Sequence, residues 1–349
     1  MRAALLFLTA VCCAWPPRAS ATDKGADKGA AHLYQPKVVV IAIDGVRRLE
    51  LEGKAVGDDG APVPAESLFP FLFELRARGV FLPEMRITNP AGISLPAYAD
   101  IFAGRRQERI VNNAPADARS QHPTVFQAAR AHLGTPDSVA VISSWKPLCP
   151  LSSTQTRASF FRHCGWEKGK GYAKPEVFEG SRTDADTLLV AEREIRARHP
   201  RLVFIHLGDA DEEAHLHQTL RDAKKGHYGI FPYHQALRNS DYIVSRLYRS
   251  LQSDPFYKDT TTWIVTTDHG RDDVPDPAQW WDHGECIKHG KGGLCEGCRA
   301  VFAIAVGPGL VPATVTRPHT HADLAPTVAK LLGFAFPTAK GTAIPEVAP

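Results

Sequence analysis

The sequence lacks the features that mark fibrous, membrane-spanning or nucleic-acid-binding chains. No internal repeat, heptad pattern or low-complexity domain occurs, which excludes solenoids and coiled coils. The two signs of charge nearly balance, since 41 Lys and Arg residues against 38 Asp and Glu residues give a net charge of +3. That charge is too small to indicate a nucleic-acid polymer or an anionic membrane as the main partner. The remaining composition, 44% hydrophobic and 23% charged over 349 residues, fits one large α/β domain or two small ones.

The N-terminus has the pattern of an export signal. Arg2 precedes the apolar run AALLFLTAVCCAW, and a small-x-small cleavage site follows at Ala19–Ala21. The apolar run is too short to cross a bilayer. We therefore expect residues 1–21 to be a signal peptide and residues 22–36 a flexible leader. The mature protein is expected to be periplasmic or secreted, with no transmembrane segment.

Cysteine is scarce, and export allows disulfide bonds between the residues that remain after the signal peptide. Those residues are Cys149, Cys164, Cys286, Cys295 and Cys298. Cys149 and Cys164 are one candidate pair, and Cys286 with either Cys295 or Cys298 is another. An odd count leaves one thiol over. The alternative for the CEGC segment is a zinc knuckle, which a lone CxxC in an oxidising compartment supports weakly.

Apolar, β-branched runs recur along the chain, separated by helical patterns. The predicted strands are residues 37–43, 138–143, 202–207, 261–267 and 301–306, and the predicted helices are residues 183–198, 233–252 and 322–332. Continuous apolar runs are typical of strands buried on both faces. Their alternation with helices predicts an α/β fold, with a mostly parallel central sheet and helices on both faces.

Three long segments lack clear periodicity and are rich in Gly, Pro, His and Cys. They are residues 144–182, 208–232 and 271–299. Long irregular loops in a compact domain are usually functional. We expect them to form lid or insert loops over a single catalytic domain that spans residues 37–349.

Three of the predicted strands end in acidic residues, two of them with histidines close by. The residues concerned are Asp44, Asp209, Asp211, His215, Asp268, His269 and His283. Ligands of open α/β sheets bind at the carboxyl ends of the strands, so these side chains are expected to share one edge. A single Asp there is often only a helix or turn cap. Clustered carboxylates repel each other, however, and a cation relieves that repulsion. Asp with His suits zinc-like ions, whereas calcium prefers oxygen ligands alone.

A candidate nucleophile lies in the segment TNPAGISLPAYADIFAG. Ser94 precedes a predicted helix that has Pro96 in its first turn. At a helix N-terminus the helix dipole and the free amides favour an anion, either a phosphate or the serine alkoxide. Taken alone, Ser94 is more simply a helix cap. Thr88 is a rival nucleophile, but no helix follows it directly.

In this order the motifs resemble those of the alkaline phosphatase superfamily, within it the nucleotide pyrophosphatase/phosphodiesterase-like branch. The resemblance rests on IAIDG, SLPAY, the D-x-x-x-H from Asp211 to His215, TDHG, and the His-Gly at His283, over residues 37–334. Any one motif is modest, but the ordered set is strong. The resemblance implies an alkaline phosphatase-like three-layer sandwich and a two-zinc phosphoesterase that acts on a small phosphate-ester substrate.

The same resemblance implies roles for particular residues. One zinc ion would bind Asp44, Asp268 and His269, with Ser94 coordinated to it as the nucleophile. The second zinc ion would bind Asp211, His215 and His283. An Asn about twenty residues after the nucleophile helps to hold the phosphoryl group in relatives, and of Asn112 and Asn113 we favour Asn113 by its spacing.

The departures from the family pattern leave several points open. The nucleophile is Ser where phosphodiesterases usually have Thr, and Tyr98 stands where formylglycine sulfatases need Arg. His289 and His321 are alternatives to His283 as the last ligand. For a monoesterase, a positive group is expected near the site. The candidates for it are Lys146, Arg162, Arg271 and Lys291.

Four functions are therefore carried forward. The first is an exported phosphoesterase with a weak preference for diesters, and the second is a phosphomonoesterase. The third is a catalytically weak protein on this scaffold that binds metals or a phosphorylated glycan. The fourth is a phosphoryl or phosphoethanolamine transferase, whose familiar relatives are membrane-anchored. The sequence does not identify the leaving group.

Overall fold

The computed structural model describes residues 35–115, 117–165, 181–222, 229–273, 283–284 and 295–349. The predicted signal peptide and most of the predicted leader lie outside these ranges. So do parts of the predicted loops, including Cys286, His289 and Lys291.

The strands and helices alternate along most of the chain. The strands are β1 Lys37–Ile43, β2 Ala55–Val56, β3 Pro62–Val63, β4 Val80–Arg86, β5 Val139–Ser143, β6 Phe161–Cys164, β7 Leu202–Leu207, β8 Thr261–Thr266, β9 Ala300–Val306, β10 Ala313–Thr314 and β11 His319–Thr320. The α-helices are α1 Arg48–Leu51, α2 Ala65–Leu68, α3 Pro70–Arg78, α4 Ser94–Ala103, α5 Val125–Leu133, α6 Leu148–Leu151, α7 Asp184–Arg198, α8 Asp209–Asp222, α9 Phe231–Gln252, α10 Glu296–Arg299 and α11 Leu324–Leu331.

A nine-stranded, mostly parallel sheet forms the centre of the fold. Its order is β10-β4-β9-β8-β1-β7-β5-β6, with β11 paired to β4. Strand β1 is parallel to both of its neighbours, β7 and β8, whereas β9 is antiparallel to β8 and β4. In the β1–β7 pair, Ile43 lies opposite Leu207. The carboxyl ends of β1, β7 and β8 therefore lie side by side at one edge of the sheet.

The core consists of two apolar layers, one on each face of the sheet. Successive residues of a strand point to opposite faces, so Val39 and Ile41 of β1 pack with Leu237 and Val244 of α9. Val40 of β1 belongs to the opposite layer, which includes side chains from α4, α5 and α11. Helices thus cover both faces, and the three-layer α/β fold expected from the sequence is confirmed.

All five predicted strands are confirmed within one residue at each end. The predicted helix at residues 183–198 begins one residue later, because Thr183 is its cap and its hydroxyl accepts from the Asp186 amide. At residues 322–332, the α-helix is shorter and follows a 3₁₀ turn at His321–Asp323. Within the described ranges, no helix is both long and apolar enough to cross a membrane.

Helix α8 occupies much of the segment that was expected to be a loop at residues 208–232. Among the side chains of α8 that the structure describes, the buried ones are those of Ala210, Ala214 and His217, which give no strong apolar periodicity.

Two disulfides are present among the described residues. Cys149–Cys164 is confirmed. The pairing expected for Cys286 is wrong, because Cys295 bonds Cys298 instead. A short helix, α10, brings the Cα atoms of that pair to 5.1 Å.

Candidate metal centre and nucleophile

The site begins at the turn after β1, where Asp44 is followed by Gly45. Asp44 is buried. Gly45 has φ +67, and a Cβ there would lie 2.5 Å from the Asp211 Oδ1 atom. Glycine is therefore required both for the backbone conformation and for the close approach of the Asp211 side chain of α8 to this turn.

Asp268 and His269 follow β8 and are fully buried. The Gly45 amide donates to Asp268 Oδ1 at 3.1 Å, whereas Asp268 Oδ2 has no hydrogen-bond partner in the described part of the chain. His269 Nδ1 lies 2.8 Å from the Gly270 carbonyl oxygen. A carbonyl can only accept, so Nδ1 carries the proton and Nε2 presents its lone pair to the cluster.

Ser94 is the first residue of α4 and is buried. Its hydroxyl does not cap the helix: Ile93 holds the cap position and makes no side-chain capping bond. Instead, Ser94 Oγ lies 3.2 Å from His269 Nε2. The Leu95 amide donates to Asn113 Oδ1 at 2.9 Å, which holds the Asn113 side chain beside the helix N-terminus. A hydroxyl, an amide group and an imidazole lone pair thus converge at one point.

Asp211 and His215 lie one turn apart on α8, so their side chains share a face. Asp211 Oδ2 lies 3.1 Å from His215 Nε2, and His215 Nε2 lies 2.9 Å from His283 Nε2. The rings of His269 and His283 are 4.4 Å apart. These contacts join the residues after β7 to those after β8.

The sequence offered His289 and His321 as alternative last ligands. His289 lies outside the described residues. His321 is fully buried, but its Nε2 contacts the Thr267 carbonyl at 3.0 Å, and it belongs to neither group of clustered ligand atoms. The structure therefore places His283, and not His321, beside the acidic cluster. Asp209 is also turned away, since it accepts from the Asp184 amide.

Burial and mutual repulsion dominate the electrostatics. Burial, together with Asp44 and Asp211, raises the pKa of Asp268 well above its ordinary value. Burial would also raise the pKa of Asp211, but the Arg271 guanidinium, with His215, outweighs it and holds that pKa well below its ordinary value. Burial lowers the pKa of His269, which favours the neutral imidazole that a metal requires.

Two overlapping groups of side chains fit divalent ions. Their candidate ligand atoms lie within 4.8 Å of one another in each group. One group is Asp44, Asp211 and His269, and the other is Asp211, His215 and His283. Within the described ranges, Asp44 Oδ1 and Asp268 Oδ2 are buried oxygens without a hydrogen-bond partner, as expected where a cation is to be bound. The mixture of carboxylate and imidazole suits zinc or similar ions.

Sequence reasoning missed several neighbours of these residues. His206 in β7 and the Tyr98 hydroxyl both contact Asp44 Oδ2. Arg271 was only one of several candidate cations, and the structure pairs it with Asp211. His206 gave a signal, because it is the one polar side chain in the apolar run LVFIHL. Its partner could not be known without the strand order.

A cavity of about 180 Å³ opens over the cluster. It is lined by Asp44, Ser94, Asn113, Trp145, Ser181, His206, Gly208, Asp211, Glu212 and His215. Within the part of the chain that the structure describes, none of the lining residues is Lys or Arg. The cavity is large enough for a small ester group and gives it access to Ser94.

A family model and several solved structures match this chain. The family model described as type I phosphodiesterase / nucleotide pyrophosphatase matches residues 38–293. None of the curated proteins matches the chain significantly.

Several solved structures share the fold at low identity. One is in complex with its substrate D-glucosamine-2-N,6-O-disulfate; it is 14% identical with TM-score 0.59, over 90% of this chain and 80% of the other. A protein in the alkaline phosphatase superfamily from Vibrio parahaemolyticus is 15% identical with TM-score 0.53, over 90% and 70%. A phosphonate monoester hydrolase from Silicibacter pomeroyi is 17% identical with TM-score 0.57, over 90% and 76%. At such identities the likeness extends to the fold and not to the substrate.

Proposed function

The chain belongs to the type I phosphodiesterase / nucleotide pyrophosphatase family of the alkaline phosphatase superfamily, and on that premise we propose that it hydrolyses phosphate esters, with Ser94 as nucleophile and two zinc ions as cofactors. The observation that carries the proposal is the position of Ser94. Its hydroxyl stands at a helix N-terminus, 3.2 Å from an imidazole lone pair and within a cavity that also exposes carboxylates.

The residues present suit two metal ions. Asp44, Asp268 and His269 would hold the ion on the Ser94 side, and Asp211, His215 and His283 the other. When bound, such ions lower the pKa of a coordinated hydroxyl or water and neutralise charge on the transferring phosphoryl group. Zinc is favoured because the ligand set mixes imidazole and carboxylate.

The protein's own groups then have separate tasks. Ser94 Oγ, after its proton has passed to solvent, attacks phosphorus in line. As the Oγ–phosphorus bond forms, the bond from phosphorus to the leaving oxygen of the ester breaks, which releases an alcohol protonated by solvent and leaves phosphoserine. The Ser94 amide and the Asn113 side-chain NH₂ would hold a non-bridging oxygen, because the Leu95 amide donates to Asn113 Oδ1 and so keeps that side chain beside Ser94. Water attacks phosphoserine in the second step and restores the hydroxyl.

A diester is favoured over a monoester as substrate. A monoester carries an additional negative charge, for which monoesterases supply a positive group. No Lys or Arg is among the cavity-lining residues of the described chain. Arg271 is fully buried and paired with Asp211, and Arg162 donates to the Cys149 carbonyl. These contacts support the diesterase-like preference.

The proposal extends to the whole mature chain. Residues 37–349 would act as one catalytic domain, since the site draws on β1, α4, α8 and the segment after β8. Export to the periplasm or the medium is part of the same proposal. The disulfide Cys149–Cys164 supports it, because such bonds persist in oxidising compartments.

Replacing Ser94 with Ala tests the nucleophile directly. We expect kcat/KM on bis-p-nitrophenyl phosphate to fall by about 10³-fold or more, since the covalent route is lost. Thr88→Ala is the matched control, because the Thr88 hydroxyl accepts from the Ala322 amide and does not line the cavity. It should retain activity.

The same assay separates the rival functions. Faster turnover of p-nitrophenyl phosphate would indicate a monoesterase, and turnover of p-nitrophenyl sulfate alone would indicate a sulfatase. Bound metal without turnover of any ester would indicate a binding protein. Activity that survives both EDTA and the Ser94→Ala change would contradict the proposed mechanism.

A further inference from the structure

The two oxygens of the Asp44 carboxylate have different environments. Oδ2 is 3.2 Å from the Tyr98 hydroxyl and 2.9 Å from His206 Nε2. Oδ1 has no hydrogen-bond partner among the described residues and lies 3.4 Å from His269 Nε2, inside the cluster of ligand atoms. A carboxylate oxygen can accept two hydrogen bonds, so both donors fit on Oδ2. One oxygen is therefore fixed by the protein, and the other faces the metal site.

The two donors are held by the core and cannot move away freely. Tyr98 lies one turn after Ser94 in α4, and His206 lies in β7; they are 0% and 1% exposed. Their rings meet edge to face, with centroids 5.2 Å apart. The Tyr98 ring also packs edge to face against Phe204. The two donors thus lie on α4 and β7, which pack against each other in the core.

The hydrogen bonds of His206 fix which of its nitrogens donates. An ionised carboxylate oxygen can only accept, so Nε2 carries the proton that faces Asp44. On the other side of the ring, Nδ1 lies 3.0 Å from Ser144 Oγ and 3.1 Å from Ser143 Oγ. Both ring nitrogens therefore have partners, and the ring orientation is determined from both sides.

We propose that Tyr98 and His206 form a clamp on Oδ2 of Asp44 that reserves Oδ1 for the metal ion beside Ser94. The proposal rests on the two-metal site of the proposed function. Both residues act through Asp44 and are positioning residues. Because Asp44 belongs to one metal group and not to the group of Asp211, His215 and His283, the clamp should govern the affinity of one ion only.

Matched variants isolate each donor. Tyr98→Phe removes the hydroxyl and keeps the ring. Tyr257→Phe is its control, because Tyr257 is equally buried but donates to the Pro200 carbonyl. For His206, Gln places an amide nitrogen near the Nε2 position and can still donate to Asp44. Asn reaches only the Nδ1 position and cannot.

The readout is zinc affinity of the full mature chain without substrate, measured by competition with a chromophoric chelator. We expect Tyr98→Phe and His206→Asn each to lower the affinity for one of the two zinc ions by about 10- to 100-fold. His206→Gln and Tyr257→Phe should stay close to the wild type. His215→Ala removes a ligand of the other ion, so in that background only the zinc ion beside Ser94 is measured. Tyr98→Phe should lower the zinc affinity there by the same factor.

The outcomes distinguish this inference from the proposed function. Wild-type zinc affinities in folded Tyr98→Phe and His206→Asn would overturn the clamp and leave the proposed function intact. An equal loss of affinity for both zinc ions, or the same loss of affinity in Tyr257→Phe, would show general damage to the fold. Either result would also overturn the clamp. A wild-type chain that binds no zinc would refute the proposed function, and the clamp with it. If His206→Asn does not fold, Tyr98→Phe decides.

Discussion

At the residue scale, Asp268 shows what the site costs the fold. Its side chain is fully buried. Asp268 Oδ1 accepts from the Gly45 amide, and Asp268 Oδ2 has no hydrogen-bond partner among the residues that the structure describes. Asp44 and Asp211 add repulsion to the burial that raises its pKa. A buried carboxylate in this state destabilises the metal-free protein, because its charged form is disfavoured after folding.

Asp268→Asn should therefore stabilise the metal-free protein and weaken zinc binding. Removing the charge relieves burial and repulsion together, so we expect the unfolding temperature in EDTA at pH 7 to rise by about 2 °C or more. With excess zinc the order should reverse, since wild type gains binding free energy that the variant loses. Thermal unfolding with and without zinc measures both effects.

The stabilisation of the metal-free protein by Asp268→Asn should depend on pH in a definite direction. The pKa of Asp268 is raised on folding, so its penalty is absent below the ordinary value of 3.8 and develops as pH rises above it. The gain from Asp268→Asn should thus shrink as pH falls from 8 towards about 4.5, still above that ordinary pKa. Asp241→Asn is the control, because burial also raises the pKa of Asp241, to about 6, but both of its oxygens accept from backbone amides, those of Phe71 and Leu72, and Asn has only one oxygen to replace them. It should destabilise the protein, and equal stabilisation by both changes would contradict this explanation.

At the element scale, the turn from β1 into α1 should depend on Gly45. Gly45→Ala and Gly309→Ala both place a side chain at positive φ, +67 and +75. Each should cost about 1–2 kcal/mol of stability for the left-handed backbone. Only Gly45→Ala also brings a Cβ to 2.5 Å from Asp211 Oδ1, whereas nothing lies within 4 Å at Gly309.

Gly45→Ala should consequently lose diesterase activity and zinc affinity, while Gly309→Ala should keep both. Chemical denaturation and kinetics on the two variants measure the difference. Equal activity in both would mean that the close approach of Asp211 to this turn is unimportant.

The sequence predicted those elements that bury long apolar runs. Strands β1, β5, β7, β8 and β9 were located within one residue, because continuous Val, Ile and Leu admit few alternatives. Helix α8 was missed because its buried side chains, within the described residues, are two alanines and a histidine, and many of its other positions are charged. The short strands β10 and β11 have two residues each, too few for a period to be read.

At the scale of the whole molecule, the rule that strand ends meet at one edge anticipated the gathering of Asp44, Asp211 and Asp268. Individual partners were beyond that rule, because they depend on strand order and rotamers. The contacts of Asp44 with Tyr98 and His206 join three separate elements, and no local pattern shows them. The Cys295–Cys298 bond likewise depended on the local conformation of α10.

The central claim is that Ser94 attacks phosphorus before water does. It is tested most directly by the stereochemical course of hydrolysis of a diester made chiral at phosphorus, in water enriched in a heavy oxygen isotope. Two successive in-line displacements, first by Ser94 and then by water, predict net retention of configuration. Inversion would show a single displacement by water and would contradict the account.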